Sequence, residues 1–152
     1  MAALGNKEIK IYGDLDEYTN RLIKTSVKEH DFECGIVYYD LGIPPQTLFI
    51  ETESIVFMGF EKWLICIDCK NKVEKAKRKM AAAFYEFLEI GSLVVAVCEL
   101  DIHCFDRKGN LIWSSGLRNV VENYTIINDK DILITCSDGR SITLELRSGK
   151  TV

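Results

Sequence analysis

Six cysteines and two histidines are the side chains best suited to chemistry in this 152-residue chain. Cys66-Ile67-Asp68-Cys69 is a CxxC, and with His103 and Cys104 it makes up a donor set that zinc accepts. Only one CxxC is present, however. On a strand Cys66 points inward while Cys69 begins a turn, whereas structural zinc uses paired knuckles at tight spacing. The reading is therefore no metal and no cofactor. A redox role fails similarly, because a thioredoxin-like CxxC belongs at a helix N-terminus within a βαβ context. His30 and His103 have no nucleophile at a suggestive spacing. His103 alternates with Ile102 and Cys104, which places it on the outer face of a strand. No GxSxG, HExxH or GxxxxGK string occurs, and no carboxylate spacing singles out an acid/base pair. The chain is not expected to be an enzyme, with the reservation that catalytic residues often converge from distant positions.

Lys70, Lys72, Lys75, Lys77, Arg78 and Lys79 form the basic cluster. No aromatic residue interleaves it and the surrounding protein is acidic, so it reads as a solvated face, with no nucleic-acid partner. The net charge of −4 is unevenly spread: residues 1–53 carry five basic against ten acidic side chains, and the rest is close to neutral. Such a segment suits a basic partner, although solubility alone also accounts for it. No apolar run approaches the roughly 18 residues that a membrane span needs, and Met1 to Lys10 lacks a signal-peptide hydrophobic region. The expectation is a cytoplasmic protein without membrane contact, its cysteines reduced and acting as small hydrophobes.

The elements that position these residues are mostly short strands. Glu8 to Tyr12 reads as one. Asp14 and Glu17 have capping-box spacing, and Leu15, Tyr18, Leu22 and Ile23 follow at helical spacing, which predicts a helix from about Leu15 to Ser26. Phe32 to Tyr39 alternates as a strand that Gly42-Ile43-Pro44-Pro45 ends. Further strands are predicted at Thr47–Glu51, Ile55–Gly59, Trp63–Asp68, Leu93–Cys98, Asp101–Phe105, Asn110–Ser114, Tyr124–Ile127, Ile132–Cys136 and Ser141–Leu146. Asn71 to Leu88 is ambiguous. Val73, Ala76, Met80, Ala83, Phe84, Phe87 and Leu88 fall on one helical face, but the corresponding segment one repeat later reads as strand, loop, strand.

That repeat organises the chain. The stretch from Ser54 lies on the stretch from Ser92 without a gap, an offset of 38 residues, and a third copy places Ile132-Leu133-Ile134 on Leu93-Val94-Val95. Repeat units bury their apolar faces on one another and keep their architecture, which favours strands at 72–75 and 84–88. The expected fold is a single, mainly β domain, an antiparallel meander of about three repeats (54–91, 92–130, 131–152). It follows an N-terminal strand-helix-strand segment (1–53); the alternative is α+β with a second helix at about 71–88.

The string Ile102-His103-Cys104-Phe105-Asp106-Arg107-Lys108-Gly109-Asn110-Leu111-Ile112-Trp113 resembles the strand, Asp-x-x-Gly turn and Trp-bearing strand of β-propeller blades, especially quinoprotein-like repeats. Ile65 to Val73 and Leu144 to Lys150 echo it, so the likeness covers roughly 54–150. It implies blade-like hairpins that bind rather than catalyse, and Trp113 packing between repeats.

Small size, a repeat-built β scaffold and an acidic first third together point to a protein-binding module. The specific expectation is a bacterial immunity-type inhibitor that covers the active site of a basic, nuclease-like toxin domain. Its candidate contacts are Asp14, Asp16, Glu17, Tyr18, Asp31, Glu33, Tyr38, Tyr39 and Asp40. The alternatives are a ligand-binding or enzymatic β domain with a pocket between repeats near Cys66, Cys104 and Trp113, and an accessory that supplies blades to a larger assembly.

Overall fold

The computed structural model describes residues 9–14, 21–40 and 42–152, and these form mostly strands. β1 (Lys10–Tyr12), β2 (Arg21–Val27) and β3 (Phe32–Tyr38) make sheet 1, in the order β1-β3-β2. Sheet 2 holds β4 (Gln46–Ile50), β5 (Ile55–Phe60), β6 (Trp63–Asp68) and β7 (Val73–Lys79). Sheet 3 holds β8 (Phe84–Ile90), β9 (Leu93–Cys98), β10 (Asp101–Asp106) and β11 (Leu111–Gly116), and sheet 4 holds β12 (Val121–Ile127), β13 (Asp131–Cys136) and β14 (Ser141–Glu145). Every neighbouring pair is antiparallel except β1 with β3.

The period-2 alternation of the central strands builds the stack. Along β5, Ile55 and Phe57 pack on sheet 3, whereas Val56, Met58 and Phe60 pack on sheet 1. Along β9, Val94, Ala96 and Cys98 face sheet 2 and Val95 and Val97 face sheet 4. Each middle sheet is thus apolar on both faces, and three clusters join the four sheets in chain order. Among the described residues none of these clusters joins sheet 4 back to sheet 1. The outward face of sheet 4 carries Asp131, Thr135 and Thr143 beside Leu133. On sheet 1, Ile11 and Leu22 reach over Gly35 and stay about half exposed, at 51% and 55%. The described sheets thus stack in chain order as an arc that these clusters leave open.

Two close approaches fix the spacing within the arc. Gly59 on β5 leaves the room that the wholly buried Phe84 ring of sheet 3 fills. Gly149, at φ +70°, lies under the Trp113 ring, whose Nε1 donates to Leu146 O at 2.7 Å and ties sheet 3 to sheet 4.

Carboxylates hold the turns after the third strands. Asp106 Oδ1 accepts from the Lys108 and Asn110 amides, each at 2.9 Å, and Asp68 Oδ1 accepts from the Asn71 amide at 2.9 Å. The backbone bond from Asn71 holds the Asp68 carboxyl below the usual carboxylate range; burial pushes Asp106 up, but the bonds from Asn110 and Lys108 outweigh it and lower it. A depressed folded-state pKa stabilises above the ordinary value of 3.8 and is lost as pH falls through the folded value. Thermal melts should therefore lose stability below pH 3.8, and D68N/D106N should show a shallower loss there than the parent chain.

Several expectations are corrected. Residues 15–20 lie outside the described residues, but Arg21 to Ser26, assigned to the predicted N-terminal helix, belong to strand β2, fully paired with β3. Among the described residues the helical turns are two three-residue 3₁₀ segments, Lys28–His30 and Glu51–Glu53. The alternative helix at 71–88 is replaced by β7 and β8, as the repeat argument expected. Among the described residues the sheets number four rather than about three, because the N-terminal third supplies sheet 1. The sheets also run out of phase with the sequence repeats: the strand that ends each repeat opens the next sheet, as β8 opens sheet 3.

Candidate functional site

The β2–β3, β4–β5, β8–β9 and β12–β13 hairpins gather at one end of the stack. His30 Nε2 lies 2.8 Å from Ser54 Oγ, which links the sheet 1 hairpin to that of sheet 2. Gly109, after β10, sits against Ile55, and Gly91, Ser92, Asn128, Asp129 and Arg147 line one depression of about 1160 Å³. These tight links need left-handed residues, taken up by Asp31 (φ 49°), Ser54 (φ 56°), Gly91 (φ 56°), Asn128 (φ 50°) and Asp129 (φ 54°). The polar residues that tolerate such turns leave acids on the rim: Glu29, Asp31, Glu51, Glu53, Glu89 and Asp129 are all exposed there. Lys28, Lys130 and Arg147 interrupt it, Arg107 pairs with Glu89, and the β6–β7 and β10–β11 turns at the same end add the exposed Lys70, Lys72 and Lys108.

The rim divides the predicted contacts. Asp31 and Glu33 belong to it and are exposed. Tyr38, Tyr39 and Asp40 lie at the far end of β3, roughly 20 Å away at the rise of a strand. Asp14 is there too, since β1 runs parallel to β3 with Tyr12 beside Ile36. At that end charges are matched: Asp14 pairs with Lys79 at 2.9 Å, Asp40 with Arg21 at 3.9 Å, and the Tyr39 amide donates to Glu61. Asp16, Glu17 and Tyr18 lie outside the described residues. Glu29, Glu51, Glu53 and Asp129 were not singled out from sequence. Their signal is an acid beside each hairpin turn, visible only once the turns are aligned.

The basic cluster is resolved into a seam. Lys77 and Lys79 on edge strand β7 stand 5.4 and 5.2 Å from the Trp63 ring, and Lys10 stands 5.0 Å from the Tyr12 ring. Lysines along an exposed edge discourage further strand pairing. The interleaving aromatics that the linear sequence lacks come from β1 and β6.

The CxxC donor set that the sequence reading set aside does not converge. Cys66 lies between sheets 2 and 3 and Cys104 between sheets 3 and 4, the latter beside Trp113. The alternative pocket that joins Cys66 to Cys104 is thereby divided between two interfaces. Instead Cys98, Asp101 and His103 bring one ligand atom each within 4.8 Å of one another. β9 ends at Cys98, and the short link to β10 returns the chain so that Asp101 and His103 share its face toward sheet 2. The outer-face assignment of His103 is overturned: the residue is 4% exposed. Its Nε2 lies 3.1 Å from Asp101 Oδ2 without the alignment of a hydrogen bond, so neither ring nitrogen has a hydrogen-bonding partner. Asp101 Oδ1 is buried without one as well. An unsatisfied buried polar group costs about 1–3 kcal/mol, so the arrangement calls for an explanation.

Thiol, imidazole and carboxylate also compose a nucleophile, base and orienting group. Here burial first, and the Asp101 charge second, push the Cys98 thiol well up, away from the thiolate that nucleophilic attack requires. Burial does the same elsewhere, to about 12 at Cys66 and Cys104 and about 11 at Cys34 and Cys69.

No family model and no curated protein matches the chain. Among solved structures, the WD40 domain of Neurospora crassa Pan2 aligns over 73% of this chain and 37% of its own, with 14% identity and a TM-score of 0.51. The fold is that of β-propeller blades. BamB from Moraxella catarrhalis aligns over 76% of this chain and 38% of its own, with 17% identity and a TM-score of 0.49. The chain spans well under half the length of either protein, and the likeness to the WD40 domain concerns fold alone. Among the described residues no helix is long and apolar enough to cross a membrane.

Proposed function

We propose that this chain is a non-catalytic protein-binding module whose partner is basic. In its more specific form the reading is an immunity-type inhibitor that neutralises a nuclease-like toxin domain by covering its active site. The observation that carries it is the acidic rim. Its acidic side chains are exposed and project from tight hairpins anchored in the sheet stack, so the backbone that carries them is ordered before binding. Acidic groups so arranged speed encounter with a basic surface and lose that effect in salt. The elevated buried thiols supply no nucleophile, which favours binding over chemistry.

The reading places recognition on the rim and not on the charge-matched opposite end. Changing Asp31, Glu51 and Glu53 together to lysine should slow association with the basic partner by roughly tenfold or more at low salt, with little change in dissociation rate. Changing Asp14 and Asp40 to lysine should leave the association rate nearly unaltered. Stopped-flow or surface-based kinetics across a salt series measures both, and equal sensitivity at the two ends would sink the assignment.

A further inference from the structure

We propose that Cys98, Asp101 and His103 form a binding site for one Zn²⁺ ion, which ties the end of β9 to the start of β10. The three ligand atoms already lie within 4.8 Å of one another. Tetrahedral zinc holds such atoms roughly 3.5 Å apart, as its bond lengths of about 2.0–2.3 Å require, so only a small contraction is needed. The site contains what an unfilled ligand set leaves behind: a His103 ring that is 4% exposed, with no hydrogen bond at Nδ1 and with Nε2 3.1 Å from Asp101 Oδ2 but not aligned to bond it, and an Asp101 Oδ1 buried without a hydrogen bond. Neither feature is explained by packing alone, since an apolar residue would fill the same space without that cost.

The chemistry of the donors selects the ion. A thiolate excludes Mg²⁺ and Ca²⁺, which take oxygen ligands. One thiolate and one carboxylate neutralise a divalent charge, leaving the buried site with no net charge, whereas Cu⁺ would leave it at minus one. On binding, Cys98 gives its proton to solvent and the sulfur lone pair makes the Zn–S bond. Met80 Sδ stands 3.1 Å from Cys98 Sγ and borders the fourth position. Met80 belongs to the 80–83 link between sheets 2 and 3, which is strapped to its neighbours by the Met80 amide on Lys62 O and the Glu99 amide on Ala83 O. A metal there joins the end of β9 to the start of β10 and abuts this link.

The test uses the folded full chain, stripped with a chelator and titrated with Zn²⁺ against a chromophoric competitor, with Co²⁺ as the spectroscopic probe. The expected result is one Zn²⁺ per chain, one proton released by a thiol, a sulfur-to-cobalt absorption band and a raised melting temperature. C98S should abolish the band and weaken Zn²⁺ by more than roughly 100-fold, beyond the loss from a merely orienting partner. C136S should keep both. D101N, at a partly exposed position, should weaken Zn²⁺ by roughly tenfold or more even if C98S fails to fold. The proposal is overturned if the wild-type chain takes up no Zn²⁺ or takes Cu⁺ in its place. It is equally overturned if D101N binds Zn²⁺ as tightly as the parent does.

Discussion

Replacing Gly59 by valine is expected to destabilise the protein by about 3 kcal/mol, the upper end of the overpacking range. Gly59 lies mid-strand on β5, so no unusual backbone angle explains its type. A glycine in a strand marks the close approach of another group, and here that group is the Phe84 ring, 1% exposed, which occupies the space a Cβ would need. Phe84 in turn meets Phe87 at a centroid distance of 4.7 Å, and Phe87 meets Phe57 at 5.8 Å, so the ring cannot move without disturbing the interface of sheets 2 and 3. Phe84→Ala alone should cost about 4 kcal/mol through the cavity it leaves. If the account is right the two positions are coupled: in the Phe84→Ala background, Gly59→Val should cost far less than it does alone. Urea unfolding of the four proteins, with unchanged m-values, measures this coupling. Additive losses would mean that the clash is relieved elsewhere.

Replacing Trp113 by alanine is the second large expected loss, about 3 kcal/mol. The ring covers Gly149 and its Nε1 donates to Leu146 O, so one side chain holds the last turn of sheet 4 against sheet 3. Trp113→Phe keeps most of the ring contact and removes the hydrogen bond, and should cost about 1–2 kcal/mol. Gly149→Ala should cost at least as much as Trp113→Phe, because it adds a Cβ at φ +70° beneath the same ring. If Trp113→Ala proved neutral in chemical denaturation, the fastening of sheet 4 would have to reside in the apolar cluster around Ile132, Ile134, Leu144 and Leu146.

The repeat made most of this architecture legible before any coordinates. Ser54 on Ser92 fixed a period of 38 residues, and that period overrode the helical pattern of 71–88, which the structure resolves into β7 and β8. A period carries no phase, however, and so could not tell that β8 pairs within the following sheet. The predicted N-terminal helix failed because Leu22 and Ile23 imitate helical spacing while facing opposite sides of sheet 1, with Leu22 55% exposed. His103 was misplaced for the converse reason. Alternation normally distinguishes a core face from a wet one, but a middle sheet in a stack is buried on both, so its polar residue also lies inside. That misreading hid the Cys98, Asp101 and His103 cluster, whose members come together only through the β9–β10 turn. The acidic character of the first third was legible. Its distribution was not, because Asp31 and Asp40 are nine positions apart in sequence yet lie at opposite ends of one strand.

The most direct test of a binding rim is hydrogen exchange on the chain alone and in complex with the basic partner that native pull-down retrieves. The account predicts slowed exchange at the hairpins 28–31, 51–54 and 128–131, with the opposite-end segments 39–40, 42–45, 61–62, 99–100 and 137–140 unchanged. Slowed exchange confined to those opposite-end turns, with the hairpins exchanging as in the free chain, would contradict it.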